Sequence, residues 1–389
     1  MIADTQTAIP GGQGTFARLA GDLSAGPSIA VNGAIAFDGY GNDGQVGIYQ
    51  HHGDSLSVVA DTSTPIPGST GTFTGFGSVS ADHHTLTFRG FGPGSYVGLF
   101  QRTSPSSPIT TVVETGTVLP KSNGTSSIVG TITAPYNPQE FGVTLFCAAD
   151  AVSGIPSEYT FDGSTYAVVA DEFTLIPGGV GSFERVDAFG ANMGGVILFS
   201  GRGANGQAGI YKLENGALSV LVDTSTPIPG GTGTFEIVTV IPGFVNAAFG
   251  AIGFNGDVMS FVGYGANGQR GVYTLDLSTS SLAVIADTST VLPGGSPTQI
   301  FTAFEHFAGA SVGSNGTVVL AGGVEGQVSG LYMQPPGGSL TKIVATGDVV
   351  DGKNVVYALA STGAQRANRL AAYLQFSGGS EGIYEINLP

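Results

Sequence analysis

The chain has 389 residues, of which 41% are hydrophobic and only 10% charged, against about 25% charged in an average soluble protein. Its 64 glycines and 20 prolines fall short of the roughly 25–30% Gly plus Pro of a low-complexity disordered chain, and no G-X-Y period makes it collagen-like. Acidic residues outnumber basic ones 28 to 12, for a net charge of −16, so the basic footprint that nucleic acid or an anionic membrane requires is missing. The lone Cys147 excludes an intrachain disulfide. No apolar run reaches the roughly 18 residues of a membrane-spanning helix. The richest stretch, 238–254, is interrupted by Pro242, Gly243, Asn246 and Gly250.

Read from the start, the chain repeats itself. Ile2-Ala3-Asp4 leads to Ile9-Pro10-Gly11-Gly12, and Val59-Ala60-Asp61 leads to Ile66-Pro67-Gly68. The pattern returns at Val169-Ala170-Asp171, Leu221-Val222-Asp223 and Ile285-Ala286-Asp287, each followed by Pro-Gly-Gly. Weaker copies begin near Val113-Glu114-Thr115 and Val344-Ala345-Thr346. Seven copies result: 3–59, 60–112, 113–169, 170–221, 222–285, 286–344 and 345–389. A second motif, Gly–apolar–aromatic, recurs as Gly47-Ile48-Tyr49, Gly98-Leu99-Phe100, Gly209-Ile210-Tyr211, Gly271-Val272-Tyr273, Gly330-Leu331-Tyr332 and Gly382-Ile383-Tyr384; copy three has Ser157-Glu158-Tyr159. About ten residues earlier come Ala36-Phe37, Thr87-Phe88, Leu198-Phe199 and Ser260-Phe261. Asn32-Gly33, Asn255-Gly256 and Asn315-Gly316 read as turns between a first and second strand, and Asn215-Gly216 as one between a third and fourth.

Each copy therefore holds about four antiparallel strands, the pattern of a propeller blade. The last copy stops one strand short, and the first residues supply that strand. The reading is all-β: a single domain, 1–389, forming a seven-bladed β-propeller whose ring is closed by the N-terminal segment pairing into the last blade. Closure leaves no open sheet edge. A linear β-solenoid is the rival, but it needs terminal caps.

Asn32-Gly33-Ala34-Ile35-Ala36-Phe37 and Asn255-Gly256-Asp257-Val258-Met259-Ser260-Phe261 resemble the tandem NxxGxxAF repeat of bacterial proteins that carry varied surface anchors. The resemblance implies a secreted or cell-surface location and no particular chemistry. Met1-Ile2-Ala3-Asp4 begins directly inside the repeat, which fits an expression start placed on a trimmed, mature protein, with a natural cytosolic start as the alternative.

With strands lettered A to D from the axis outward, the Asp-Thr-x-Thr-x-Ile-Pro-Gly-Gly segments become D-to-A loops. The Gly-x-Gly-x-Asn-Gly-Gln segments become B-to-C loops on the same face. Asp4, Asp61, Asp171, Asp223 and Asp287, with Glu114, form a ring by symmetry. Acidic oxygens suit Ca²⁺, but an aspartate repeated in nearly every blade reads first as a turn-former, so neither metal nor cofactor is assigned. Positions that vary between blades are better candidates for binding: Tyr40, Phe91, Arg202 and Tyr264, with Asp38 and Arg89 just before the preceding glycine. Flat rings and guanidinium groups suit sugars. The alternative is that the rings pack on neighbouring blades and that Asp38 and Arg89 pair between blades.

The histidines suggest little chemistry. His51, His52, His83 and His84 fall near hairpins of the opposite face, beside Asp54 and Asp82, and His306 lies on an inner strand. Cys147 sits in an apolar strand and reads as inert. No G-x-S-x-G elbow, Walker A or H-E-x-x-H motif occurs, and no catalytic residue is assigned. Blades 3, 5 and 7 are irregular, at 149–157, at 237–245, and at Lys353, Arg366 and Arg369. The expectation is a non-catalytic interaction module taking a glycan or a surface protein through its loop face. A polysaccharide lyase or hydrolase, or a structural component of a surface layer or sheath, is the alternative.

Overall fold

The computed structural model describes residues 1–20, 26–82, 85–132, 142–241, 245–305 and 309–389. Seven antiparallel sheets stand in a ring around a common axis, as a seven-bladed β-propeller. In blades 1 to 6 the strands follow chain order from the axis outward. Blade 1 is typical. Its strand A is Phe16–Leu19, B is Ile35–Gly41, C is Val46–His52 and D is Ser55–Asp61, and Ser28–Ile29 pairs with the other end of B. Gly33 takes φ +83° in the turn before B, and Asn215 and Gly216 take φ +52° and +77° in the C-to-D turn of blade 4, the left-handed geometry that favours Asn-Gly there.

The ring closes as the repeats require. Blade 7 has Lys353–Leu359, Arg369–Phe376 and Glu381–Asn387 as strands A to C, and Ala3–Asp4 of the chain start completes it. Ala3 stands opposite Ile383 and Asp4 opposite Gly382. The Ile2 amide donates to the Ile383 carbonyl at 2.7 Å, and the Lys353 ammonium lies 3.5 Å from Asp4.

Alternation along strands B and C gives each blade two buried faces. One carries an aromatic triad: Phe16, Phe37 and Tyr49 in blade 1, Phe73, Phe88 and Phe100 in blade 2, Phe183, Phe199 and Tyr211 in blade 4, and Phe235, Phe261 and Tyr273 in blade 5. The other carries smaller residues that receive the next blade, so Ala36 and Ile48 pack with Phe73, Phe88 and Phe100. Burying one such ring is worth about 2–3 kcal/mol, which makes the interblade seams the main hydrophobic core. Buried polar side chains also stitch the seams. Ser28 Oγ accepts from the Ala81 amide at 2.9 Å, Ser260 Oγ donates to the Ala310 carbonyl at 2.7 Å, and Glu381 Oε2 accepts from the Leu19 amide at 2.7 Å.

Candidate functional site

The D-to-A and B-to-C loops share one face. The aspartate that starts each D-to-A loop is consumed in forming it. Asp61 Oδ1 accepts from the Ser63 amide (2.9 Å), the Ser63 hydroxyl (2.6 Å) and the Thr64 hydroxyl (3.0 Å). Asp223 and Asp287 repeat this with Ser225, Thr226, Ser289 and Thr290. Asp4 and Asp171 hold Thr7 and Thr174 in the same way. Glu114 instead takes the Tyr96 hydroxyl. These carboxylates behave as turn-formers, and among the described residues no group of three or more His, Cys, Asp or Glu side chains is placed to hold a metal.

The loop residues that repeat from blade to blade serve each other as well. Ile9, Ile66, Ile176 and Ile228 are buried plugs. Their Cδ1 atoms lie 2.3–2.8 Å from where a Cβ would stand on Gly41, Gly92, Gly203 and Gly265. Gln207 and Gln269 reach from the B-to-C loop to the Pro-Gly-Gly turn, where their Oε1 atoms accept from the Val180 and Thr232 amides at 3.3 and 3.4 Å. The loop motifs are thus latches of the fold, and the side chains left for binding are those that vary.

The six candidate residues occupy this loop face at the end of strand B, but in different surroundings. Arg18 of strand A stands opposite Tyr40 and lays its guanidinium 4.6 Å from the ring centroid. Burial, then the Asp38 carboxylate, pushes the Tyr40 phenol up to about 12, with Arg18 opposing; Asp38 itself is buried. In blade 2 the Arg89 guanidinium lies 4.8 Å from the Phe91 ring centroid. Both are cation–π pairs that hold a planar donor against a ring. In blade 4 Arg202 stands opposite Arg185. Tyr264 is only 4% exposed and packs with Leu292, Phe301 and Phe304, so its ring serves the seam between blades 5 and 6. Beside it, Glu236 and the Gly265–Arg270 loop line an open cleft of about 590 Å³.

A second group was not singled out by sequence motifs. Arg18, Tyr373 and Glu381 meet at the seam of blades 7 and 1, where burial and then Glu381 push the Tyr373 phenol up. One blade further round, the Tyr357 hydroxyl donates to Glu305 at 3.1 Å. Burial pushes the Glu305 carboxyl up, and Tyr357 opposes that shift. Comparing the same strand position between blades is the sequence signal that would have exposed Glu305.

Residues 93–380 match the Family of unknown function (DUF7453). The chain belongs to this family. No curated protein matches it. Among solved structures it is similar to one from a study of two prolyl endopeptidases, with TM-score 0.56 and 12% identity over 94% of this chain and 49% of that one. A puromycin hydrolase gives TM-score 0.52 at 9% identity, covering 98% of this chain and 55% of that one. A Mycobacterium tuberculosis puromycin-hydrolyzing peptidase gives 0.50 at 9% identity with the same coverage. The chain spans about half the length of these proteins, and at such identities the likeness is one of fold.

The remaining sequence candidates have structural surroundings. His51 and His52 end strand C of blade 1 on the opposite face, where burial lowers the His51 pKa against Glu385 and Asp54. His83, His84 and His306 lie outside the described residues. Cys147 is buried against the Val186 carbonyl. In blade 3 the Lys121 ammonium reaches Ser157 Oγ at 2.8 Å and Glu172 at 2.7 Å. Ser157 is fully buried, so this Ser–Lys contact is an internal lock. The extra segment of blade 5 forms a hairpin of Val238–Ile241 with Val245–Ala247. Of the blade 7 cations, Lys353 secures the closing strand, Arg369 pairs with Glu385, and Arg366 approaches Asp82 of blade 2 at 3.9 Å.

Proposed function

We propose that the chain is a non-catalytic binding module, secreted or displayed on the cell surface, that takes carbohydrate on its loop face. The observation carrying this reading is the pair of ring-backed guanidinium groups on adjacent blades, Arg18 over Tyr40 and Arg89 over Phe91. A guanidinium held over a ring has little orientational freedom to lose when a ligand binds, and the ring and cation together suit a sugar face and its oxygens. The open cleft beside the blade 5 loop adds the Glu236 carboxylate and glycine-lined backbone. The surface location rests on the resemblance to NxxGxxAF repeat proteins.

Catalysis fits this geometry less well. A polysaccharide lyase using a tyrosine base needs a phenolate near neutral pH. Burial, with nearby carboxylates, instead pushes up the phenols of Tyr40, Tyr264, Tyr357 and Tyr373, so all four stay protonated. The test is a panel of neutral and acidic polysaccharides, with and without Ca²⁺, read for binding and for unsaturated sugar products. Binding that Arg18→Ala and Arg89→Ala weaken, with no product, supports the module. Product formation refutes it.

A further inference from the structure

Blade 6 carries small residues at two facing positions, Ala303 and Gly323. The strand B position held by Tyr40, Phe91, Arg202, Tyr264 and Gln375 in five other blades, and by Ala149 in blade 3, is Gly323. Its strand A partner is Ala303, where Arg18, Arg185 and Tyr357 stand in blades 1, 4 and 7, Thr131 in blade 3 and Gly75 in blade 2. With both large side chains missing, a cavity of about 350 Å³ opens between blades 6 and 7, lined among others by Glu305, Glu325, Gln327 and Tyr357.

Glu305 is not required by the fold. The corresponding inner-strand residues are Ala20 in blade 1, Gly77 in blade 2, Asp187 in blade 4 and Leu359 in blade 7, so the fold accepts apolar, small and acidic residues there. Its carboxyl takes the Tyr357 hydroxyl at 3.1 Å and forms no ion pair among the described residues. Arg270 across the rim is committed to the Thr302 carbonyl and, at 3.2 Å, to Glu325. A partly desolvated carboxylate without a cation is costly, and a cationic ligand group offsets that cost. The rest of the wall has a phenol ring, the Gln327 amide and a glycine backbone, a mixture suited to a sugar ring and its hydroxyls.

We propose that this cavity holds an amino sugar of the bound glycan, with its free ammonium on Glu305 and its ring against Tyr357. This rests on the carbohydrate reading above and names the sugar class. The test is calorimetric titration of the full chain with glucosamine oligomers, their N-acetylated counterparts, the neutral glycans of the panel and Nα-acetyl-lysine amide. The expected result is that glucosamine oligomers bind at least ten-fold more tightly than N-acetylated ones. Glu305→Gln removes that preference, and so does Gly323→Tyr, which fills the cavity with the residue blades 1 and 5 already carry there. Thermal unfolding of both variants verifies that they fold.

Equal affinity for the acetylated oligomers, or no effect of either folded variant, overturns the proposal. If neutral glycans still bind through Arg18 in that case, the general carbohydrate reading survives it. Tighter, Glu305-dependent binding of the lysine amide overturns the amino sugar in favour of a peptide ligand. No glycan binding at all removes both readings.

Discussion

The ring of Phe235 lies against the backbone of Gly263, its Cε1 only 2.5 Å from where a Cβ would stand, with Tyr273 Cδ2 at 3.1 Å on the same side. The relationship recurs between Phe16 and Gly39, Phe73 and Gly90, and Phe183 and Gly201. Glycine is needed here for close approach, because the strand B backbone is where the first aromatic of each triad seats.

Gly263→Ala therefore overpacks a buried ring. The expected cost is about 1–3 kcal/mol, read as a lower urea midpoint with an unchanged slope. Val152→Ala, at a residue 94% exposed, should fall within about 0.5 kcal/mol of wild type. Equal effects of the two substitutions would contradict the seat.

The aspartates of the D-to-A loops are expected to be structural. Asp223→Ala frees the Ser225 amide and the Ser225 and Thr226 hydroxyls, at a cost of about 1–2 kcal/mol. Because the carboxylate acts through these bonds, millimolar Ca²⁺ should not change the thermal midpoint of wild type or variant. A Ca²⁺-dependent rise in wild type that Asp223→Ala abolishes would turn the ring of aspartates into a metal site.

Ring closure depends on two residues of sheet, Ala3–Asp4, together with Lys353. Removing residues 1–6 takes away the outer strand of blade 7 and leaves the Glu381–Asn387 strand as an open edge. Such edges pair with other chains. Size-exclusion chromatography should show oligomers and calorimetry a lower unfolding temperature; an unchanged monomer of equal stability would show that closure lies elsewhere.

Alkaline pH offers a test of the tyrosines. Burial leads the rise of Tyr40, Tyr49 and Tyr332 to about 12, helped by Asp38, Asp61 and Asp348 respectively. A raised folded pKa means the stabilising contribution is complete below about pH 10, the unfolded phenol value, and is lost as pH climbs toward 12. Phenolate absorbance should therefore appear late in the native protein and coincide with unfolding. Ionisation of any of these tyrosines near neutral pH would reopen the tyrosine-base reading.

The fold was legible because every blade repeats the same physical solution. A Gly–apolar–aromatic strand leaves its mark in six blades, and an isoleucine plug and a Pro-Gly-Gly turn in four each. Candidate positions were legible only as places in a loop. Tyr40 and Tyr264 occupy the same register, yet Tyr40 meets an arginine and Tyr264 meets the apolar seam of blade 6, and that difference is set by neighbours distant in the chain. Glu305 escaped motif reading for a related reason. What opens the blade 6 cavity is the facing pair Ala303 and Gly323, and a missing side chain has no motif.

The most direct test of the account is to expose the purified chain to the polysaccharide panel and record binding and product release from the same samples. Saturable binding that falls with Arg18→Ala and Arg89→Ala, with no new unsaturated or reducing ends, is the predicted result. Turnover of any bound glycan, or affinity indifferent to both arginines, would contradict it.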